Sequence, residues 1–148
     1  SKEVKMEIGV DIIEINRIKN ACRRKKFEDR FFTACELTEI SAKKSYYTHL
    51  AGKFAAKEAV AKALGTGFSG MKWKDIEVLN EESGKPMIIL NGKAFEIFKR
   101  KGFEKILITI SHSREYAIAF AVALGGAVDE GSKSCYNEKN GPDGNRRI

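Results

Sequence analysis

The sequence predicts one mixed domain of helices and antiparallel strands, in which two hairpins accompany a long helix. Three observations carry that prediction. Residues 46–64 form an unbroken helix-forming run closed by Gly65-Thr66-Gly67. Residues 73–90 and 106–123 each hold two apolar runs separated by a turn. A chain of 148 residues, 43% hydrophobic and 9% aromatic, can bury a core of its own.

Taken in order, residues 5–14 alternate and then become apolar, as a strand does. A basic helix is expected next, with Ile15, Ile18, Cys22 and Phe27 spaced among its charges. Thr33-Ala34-Cys35-Glu36 has the form of a capping box. The threonine hydroxyl accepts from the third backbone amide and the glutamate returns to the cap, starting a short helix to about residue 42. After the long helix, residues 73–79 and 86–90 predict a hairpin turning over Asn80 to Gly84. Residues 93–101 predict a short helix, and residues 106–110 and 116–123 a second hairpin about Ser111 to Glu115. Beyond Gly125-Gly126 the chain is polar with almost nothing to bury. Residues 1–124 are therefore expected to form the domain and residues 125–148 a flexible polar tail.

Composition excludes several classes. Two prolines and thirteen glycines without a repeat rule out a collagen-like or proline-rich chain. The longest apolar stretch, residues 116–124, is far shorter than the roughly 20 residues of a membrane span. Three cysteines, none in a C-x-x-C pair, make neither a disulfide framework nor a zinc site. With no signal-peptide pattern, a reducing, cytoplasmic setting is expected. The net charge of +7 points to an acidic partner, whether nucleic acid, phosphorylated ligand, anionic lipid or protein. Between Asn16 and Arg30, seven cations (Arg17, Lys19, Arg23, Arg24, Lys25, Lys26, Arg30) face only Glu28 and Asp29. A plain solvated helix face competes with a docking role for that segment.

Two acids stand out. Asp11 lies in the apolar run Ile8-Gly9-Val10-Asp11-Ile12-Ile13, where a buried carboxylate needs a cation, a donor network or a strand end. Glu58 shares a helix face with Phe54, Lys62 and Gly65 and is flanked by small residues. An ordinary Glu58–Lys62 surface pair competes with a functional role. Two bare carboxylates about 4 Å apart repel by roughly 4 kcal/mol at an effective dielectric near 20, a repulsion that a divalent cation reverses. Oxygen donors and a low protein ligand count suit Mg2+, with Lys62 one turn on to face a phosphate. Gly65-Thr66-Gly67 can cap the helix or present amides to a phosphate, and the spacing is not that of a P-loop. Ser111-His112 is no hydrolytic pair, since adjacent strand residues point to opposite faces. His112 can bind an anion or cap its turn, and His49 is expected at the surface.

Five segments together resemble the holo-acyl-carrier-protein synthases, the small class of 4'-phosphopantetheinyl transferases. They are IGVDIIEINRI (8–18), FAAKEAVAKALGTG (54–67), WKDIEV (73–78), GKP (84–86) and ISHSREYA (110–117). The resemblance implies an α+β fold of antiparallel strands packed against a long helix, assembled as a homotrimer with active sites at the subunit interfaces. It also implies Mg2+-dependent transfer of 4'-phosphopantetheine from coenzyme A to a serine of apo acyl carrier protein. Adenosine 3',5'-bisphosphate is released, and the product serves fatty acid biosynthesis. By position, Asp11 and Glu58 correspond to the metal ligands and Lys62 to the residue at the diphosphate. Gly65, Thr66, Gly67, Pro86 and His112 correspond to residues beside the nucleotide. Arg17, Arg24, Phe27 and Phe54 correspond to contacts with the acidic carrier protein. Lys53 stands where many relatives have arginine, so a bidentate phosphate grip becomes a point-charge contact. The tail has no recognised counterpart.

Phosphoryl transfer needs positioning and charge neutralisation more than a protein nucleophile, so the lack of a nucleophilic serine agrees with this chemistry. The proton of the partner's serine is expected to go to Glu58 or to a water that Glu58 orients. Two alternatives are weaker. A nucleic-acid-binding module would use the basic segment but leaves Asp11 and Glu58 without a role. A non-catalytic carrier-binding protein would not need the expected ligand set, all of which is present.

Overall fold

The computed structural model describes residues 3–126 and 146–147. The chain runs through β1 (Val4–Glu14), α1 (Ile15–Ala21), α2 (Phe27–Phe31), α3 (Ala34–Ile40) and α4 (Tyr46–Leu64). A 3-10 turn (Trp73–Asp75), β2 (Ile76–Asn80), β3 (Pro86–Leu90), α5 (Gly92–Arg100), β4 (Phe103–His112), β5 (Tyr116–Gly126) and β6 (Arg146–Arg147) follow. Two antiparallel sheets result, ordered β1-β5-β4 and β2-β3-β6.

Several expectations hold residue for residue. The capping box is complete, with Glu36 N donating to Thr33 Oγ1 and Thr33 N to Glu36 Oε1. The long helix ends where Gly65 takes a left-handed backbone (φ 79°).

The basic helix, by contrast, is broken into α1 and α2. Four consecutive cations, Arg23 to Lys26, occupy the break, and Lys26 adopts a left-handed backbone (φ 67°). A continuous helix would set Lys19 beside Arg23, Arg23 beside Lys26 and Lys26 beside Arg30, like charges three or four positions apart on one face. The predicted strand at 73–79 starts instead at Ile76. Asp75 accepts from the Lys72 amide (3.0 Å) and closes the preceding residues into the 3-10 turn. β5 runs on through Gly125 and Gly126, which pair with Lys5 and Val4. The short strand at Arg146–Arg147 pairs with Ile89 and Leu90. Both lie inside the segment expected as a tail; the rest of that segment falls outside the described residues.

α4 is buried around most of its circumference, which suits its run of alanines better than a single apolar stripe would. Ala51, Ala55, Ala59 and Ala63 are fully or almost fully buried. They let β1 approach so closely that a Cβ on Gly9 would stand 2.0 Å from the Ala59 carbonyl oxygen. The small residues around Glu58 therefore admit the chain's own sheet.

A second set of contacts locks α3 and β2 to α4. Lys57 and Glu36, both inaccessible to solvent, pair at 2.8 Å. Lys57 also donates to the carbonyls of Ile76 (2.5 Å) and Trp73 (3.1 Å), and Glu36 accepts from the Val78 amide (3.0 Å). Every polar atom of the pair thus meets a partner, the condition under which a buried ion pair is tolerated.

Candidate active site

Asp11 lies on the face of β1 that meets α4, two residues past the Gly9 contact. Glu58 and Lys62 lie one turn apart on α4. Lys62 Nζ reaches across to β1, donating to the Val10 carbonyl (2.9 Å) and lying 3.5 Å from Asp11 Oδ1. In place of the competing Glu58–Lys62 surface pair, Lys62 makes a bridge between strand and helix. Burial pushes both carboxyl groups above their ordinary values, and the charge of Asp11 pushes Glu58 further. Lys62 and Arg17 act in the opposite direction on both acids. The two acids, 47 positions apart, and two cations therefore share one electrostatic site.

The donor set fits a hard divalent cation. Two partly desolvated carboxylates, one of which raises the proton affinity of the other, gain from a dication between them, and oxygen ligands are what Mg2+ takes. Among the described residues no third acid, histidine or cysteine joins them, which agrees with an ion that keeps waters and binds a substrate phosphate.

Arg17, Arg24, Phe27 and Phe54 are brought together. They line one cavity of about 620 Å³ between α1, α2 and α4, with Phe31 and Trp73. Sequence reasoning missed the last two and also Phe68. Trp73 stacks on Phe54 (centroids 4.8 Å, 21°) and on Phe68 (3.7 Å, 18°), and meets Phe31 edge-on at 4.9 Å. As the chain's sole tryptophan it was open to notice, but its position at the start of a predicted strand gave no sign of this stack.

At the end of α4, Lys101 Nζ donates to the Leu64 carbonyl (2.5 Å) and sits 2.9 Å from where a Cβ of Gly65 would be. A cation at the carboxyl end of a helix also complements its dipole. Gly67 is exposed and Thr66 half-buried beyond it, so the loop faces outward.

Three predicted residues do not join the acid cluster. Lys53 is buried, its ammonium held by Glu39 (2.7 Å) and the Val78 carbonyl (2.5 Å), so it ties α4 to α3 and β2 instead of facing a phosphate. Pro86 opens β3 on the second sheet, opposite Asn80. His112 ends β4, and its charge acts on His49 of α4. His49 is half-buried, and burial, then Lys43, His112 and Lys53, push its imidazole below the ordinary value.

An α+β frame that sets two acids and a lysine beside a glycine loop and a basic, aromatic cavity has the equipment for metal-assisted phosphoryl transfer. The family model for the 4'-phosphopantetheinyl transferase superfamily matches residues 7–121. The chain is 50% identical to the holo-[acyl-carrier-protein] synthase of Clostridium acetobutylicum over 116 residues, 78% of this chain and 94% of that one. It is 52% identical to that of Alkaliphilus metalliredigens over 117 residues, 78% and 96% of the two chains. Among solved structures, it is similar to the Helicobacter pylori synthase in complex with coenzyme A (TM-score 0.68, 32% identity, 78% and 98% covered). It is also similar to the Bacillus anthracis synthase in complex with CoA (3',5'-ADP) (TM-score 0.69, 36% identity, 82% and 99% covered). The chain belongs to the 4'-phosphopantetheinyl transferase superfamily, in the branch whose curated relatives are holo-acyl-carrier-protein synthases.

Proposed function

We propose that this chain transfers the 4'-phosphopantetheine group of coenzyme A to a serine hydroxyl of an apo acyl carrier protein. The products are holo carrier protein and adenosine 3',5'-bisphosphate, and the reaction serves fatty acid biosynthesis in the cytoplasm. The observation that carries this reading is the convergence of Asp11, Glu58 and Lys62 where β1 meets α4.

Asp11 and Glu58 would hold Mg2+, which supplies charge neutralisation at the diphosphate when bound. Lys62, already fixed by the Val10 carbonyl, stabilises charge growing on the phosphoryl oxygens, an effect worth roughly 3 kcal/mol for a preorganised donor. The partner's serine loses its proton near Glu58, directly or through a water that its carboxylate orients. Gly65, Thr66 and Gly67 lie against the nucleotide. Arg17 and Arg24 receive the acidic carrier, with Phe27 and Phe54 as apolar contacts. Arg17 lines this cavity and also acts on both acids by charge, which supports seating the carrier beside the reacting centre.

The active molecule is a homotrimer in this proposal. Val4, Met6, Ile8, Val10 and Ile12 leave the outer face of β1 between 49% and 72% exposed, and Ile118 and Phe120 extend that face across β5. An apolar sheet face of this extent marks an interaction site. Pro86 and His112, away from the acid cluster of their own chain, would serve a neighbouring chain's site.

The test combines apo carrier protein, coenzyme A and Mg2+ with the chain and weighs the carrier by mass spectrometry. Addition of one phosphopantetheine group, lost with a chelator, is expected. No mass gain would refute the proposal, and a gel shift with nucleic acid under the same conditions would favour the binding-module alternative.

A further inference from the structure

We infer that Trp73 is a positioning residue shared by both substrate sites, its indole forming the wall between the carrier cavity and the glycine loop. This rests on the function proposed above and assigns a role to a side chain that lies outside the catalytic set.

The aromatic rings form a continuous path. Phe27 meets Phe31 at 4.8 Å, Phe31 meets Trp73 at 4.9 Å, and Trp73 lies on Phe68 at 3.7 Å. Phe27 sits in the basic segment at the carrier cavity, whereas Phe68 directly follows Gly67 of the loop. Phe54, also stacked on the indole at 4.8 Å, is one helical turn before Glu58. Among the described residues Trp73 is thus the one ring that touches the cavity's Phe31 and Phe54 and the loop's Phe68 alike.

Its placement is fixed from below. The Trp73 carbonyl accepts from Lys57 Nζ (3.1 Å), whose charge is held by Glu36 in a site without solvent. The 3-10 turn is closed further by Asp75 on the Lys72 amide. A half-buried ring with its backbone pinned in this way has little freedom to follow a moving neighbour. Both stacked partners must therefore settle against it.

The inference predicts a particular kinetic pattern. Trp73→Leu keeps apolar bulk but loses two stacked contacts, and should raise KM for the carrier and for coenzyme A by about tenfold, with the loss falling on KM and not on kcat. Trp73→Phe restores a ring and should bring both constants back to within about threefold. A side chain that served stability alone would lower the melting temperature without moving either KM of the folded protein. One unchanged KM in folded Trp73→Leu would overturn the shared role.

The wild-type chain supplies a second readout that needs no variant. Because Trp73 is the sole tryptophan, its fluorescence should change on titration with apo carrier protein and, separately, with coenzyme A. Emission indifferent to either substrate in a chain that transfers phosphopantetheine would overturn the inference alone. Failure of the wild-type chain to transfer would overturn the functional reading beneath it.

Discussion

Gly9 of β1 lies directly against the Ala59 carbonyl of α4, so close that a Cβ at position 9 would fall 2.0 Å from that oxygen and 2.8 Å from the Ala63 amide nitrogen. Asp11 follows on the same face of the strand, and Glu58 precedes Ala59 on the helix. The absence of one side chain thus sets how near the two acids can come. Gly9→Ala should cost about 1–3 kcal/mol or more, because both clashing partners are backbone. Denaturant unfolding measures the cost. Mg2+ affinity should weaken with it, and a variant of full stability and affinity would show that the contact does not set the site.

Glu58→Gln removes a charge that burial and Asp11 both disfavour. A carboxyl whose folded value is raised contributes stability below its unfolded value, and that contribution is lost as pH rises through the folded value. At pH 7 the ionised side chain is therefore a cost to the metal-free fold. Glu58→Gln should melt at the same or a higher temperature without metal, while kcat falls by about a thousandfold or more. A lower melting temperature would show that Glu58 is chiefly structural.

Arg24 is exposed at the rim of the cavity. Charge at a rim governs encounter more than residence, so Arg24→Glu should raise KM for the carrier by about an order of magnitude at low salt and flatten its salt dependence. KM for coenzyme A should not follow. An unchanged salt profile would return the basic segment to a merely solvated surface.

His49 offers a test of the packing at the far end of α4. Its folded value lies below the ordinary 6.5, chiefly through burial, so the unfolded chain binds more protons in the window beneath that value. Stability should rise with pH through this window and fall on acidification, and His49→Gln should remove that part of the slope. An NMR titration in which His49 protonates at or above 6.5 would contradict the half-buried placement.

The legible features were those written in short-range chemistry. The Thr33-to-Glu36 box and the 46–64 helix with its glycine stop needed only spacing and local composition, whereas spacing left Asp11, Glu58 and Lys62 open to ordinary strand-end and surface-pair readings and the family resemblance singled them out together. The fates of Lys53 and Lys57 did not show, because nothing local separates them from Lys62. Their partners, half-buried Glu39, buried Glu36 and the carbonyls of Trp73, Ile76 and Val78, come from α3, the 3-10 turn and β2. β1 defeats the simple alternation rule as well. Its apolar residues Met6, Ile8, Val10 and Ile12 face outward, and Gly9 and Asp11 face the helix. A strand meeting backbone on one side and, as proposed, another chain on the other has no solvent-facing side to mark with polar residues.

Calorimetric titration of Mg2+ in the presence of coenzyme A, on wild type, Asp11→Asn and Glu58→Gln, tests the paired-acid site most directly. One ion per chain should bind to wild type, and each single variant should lose it. Binding of the same stoichiometry and affinity in both variants would contradict a metal held between β1 and α4.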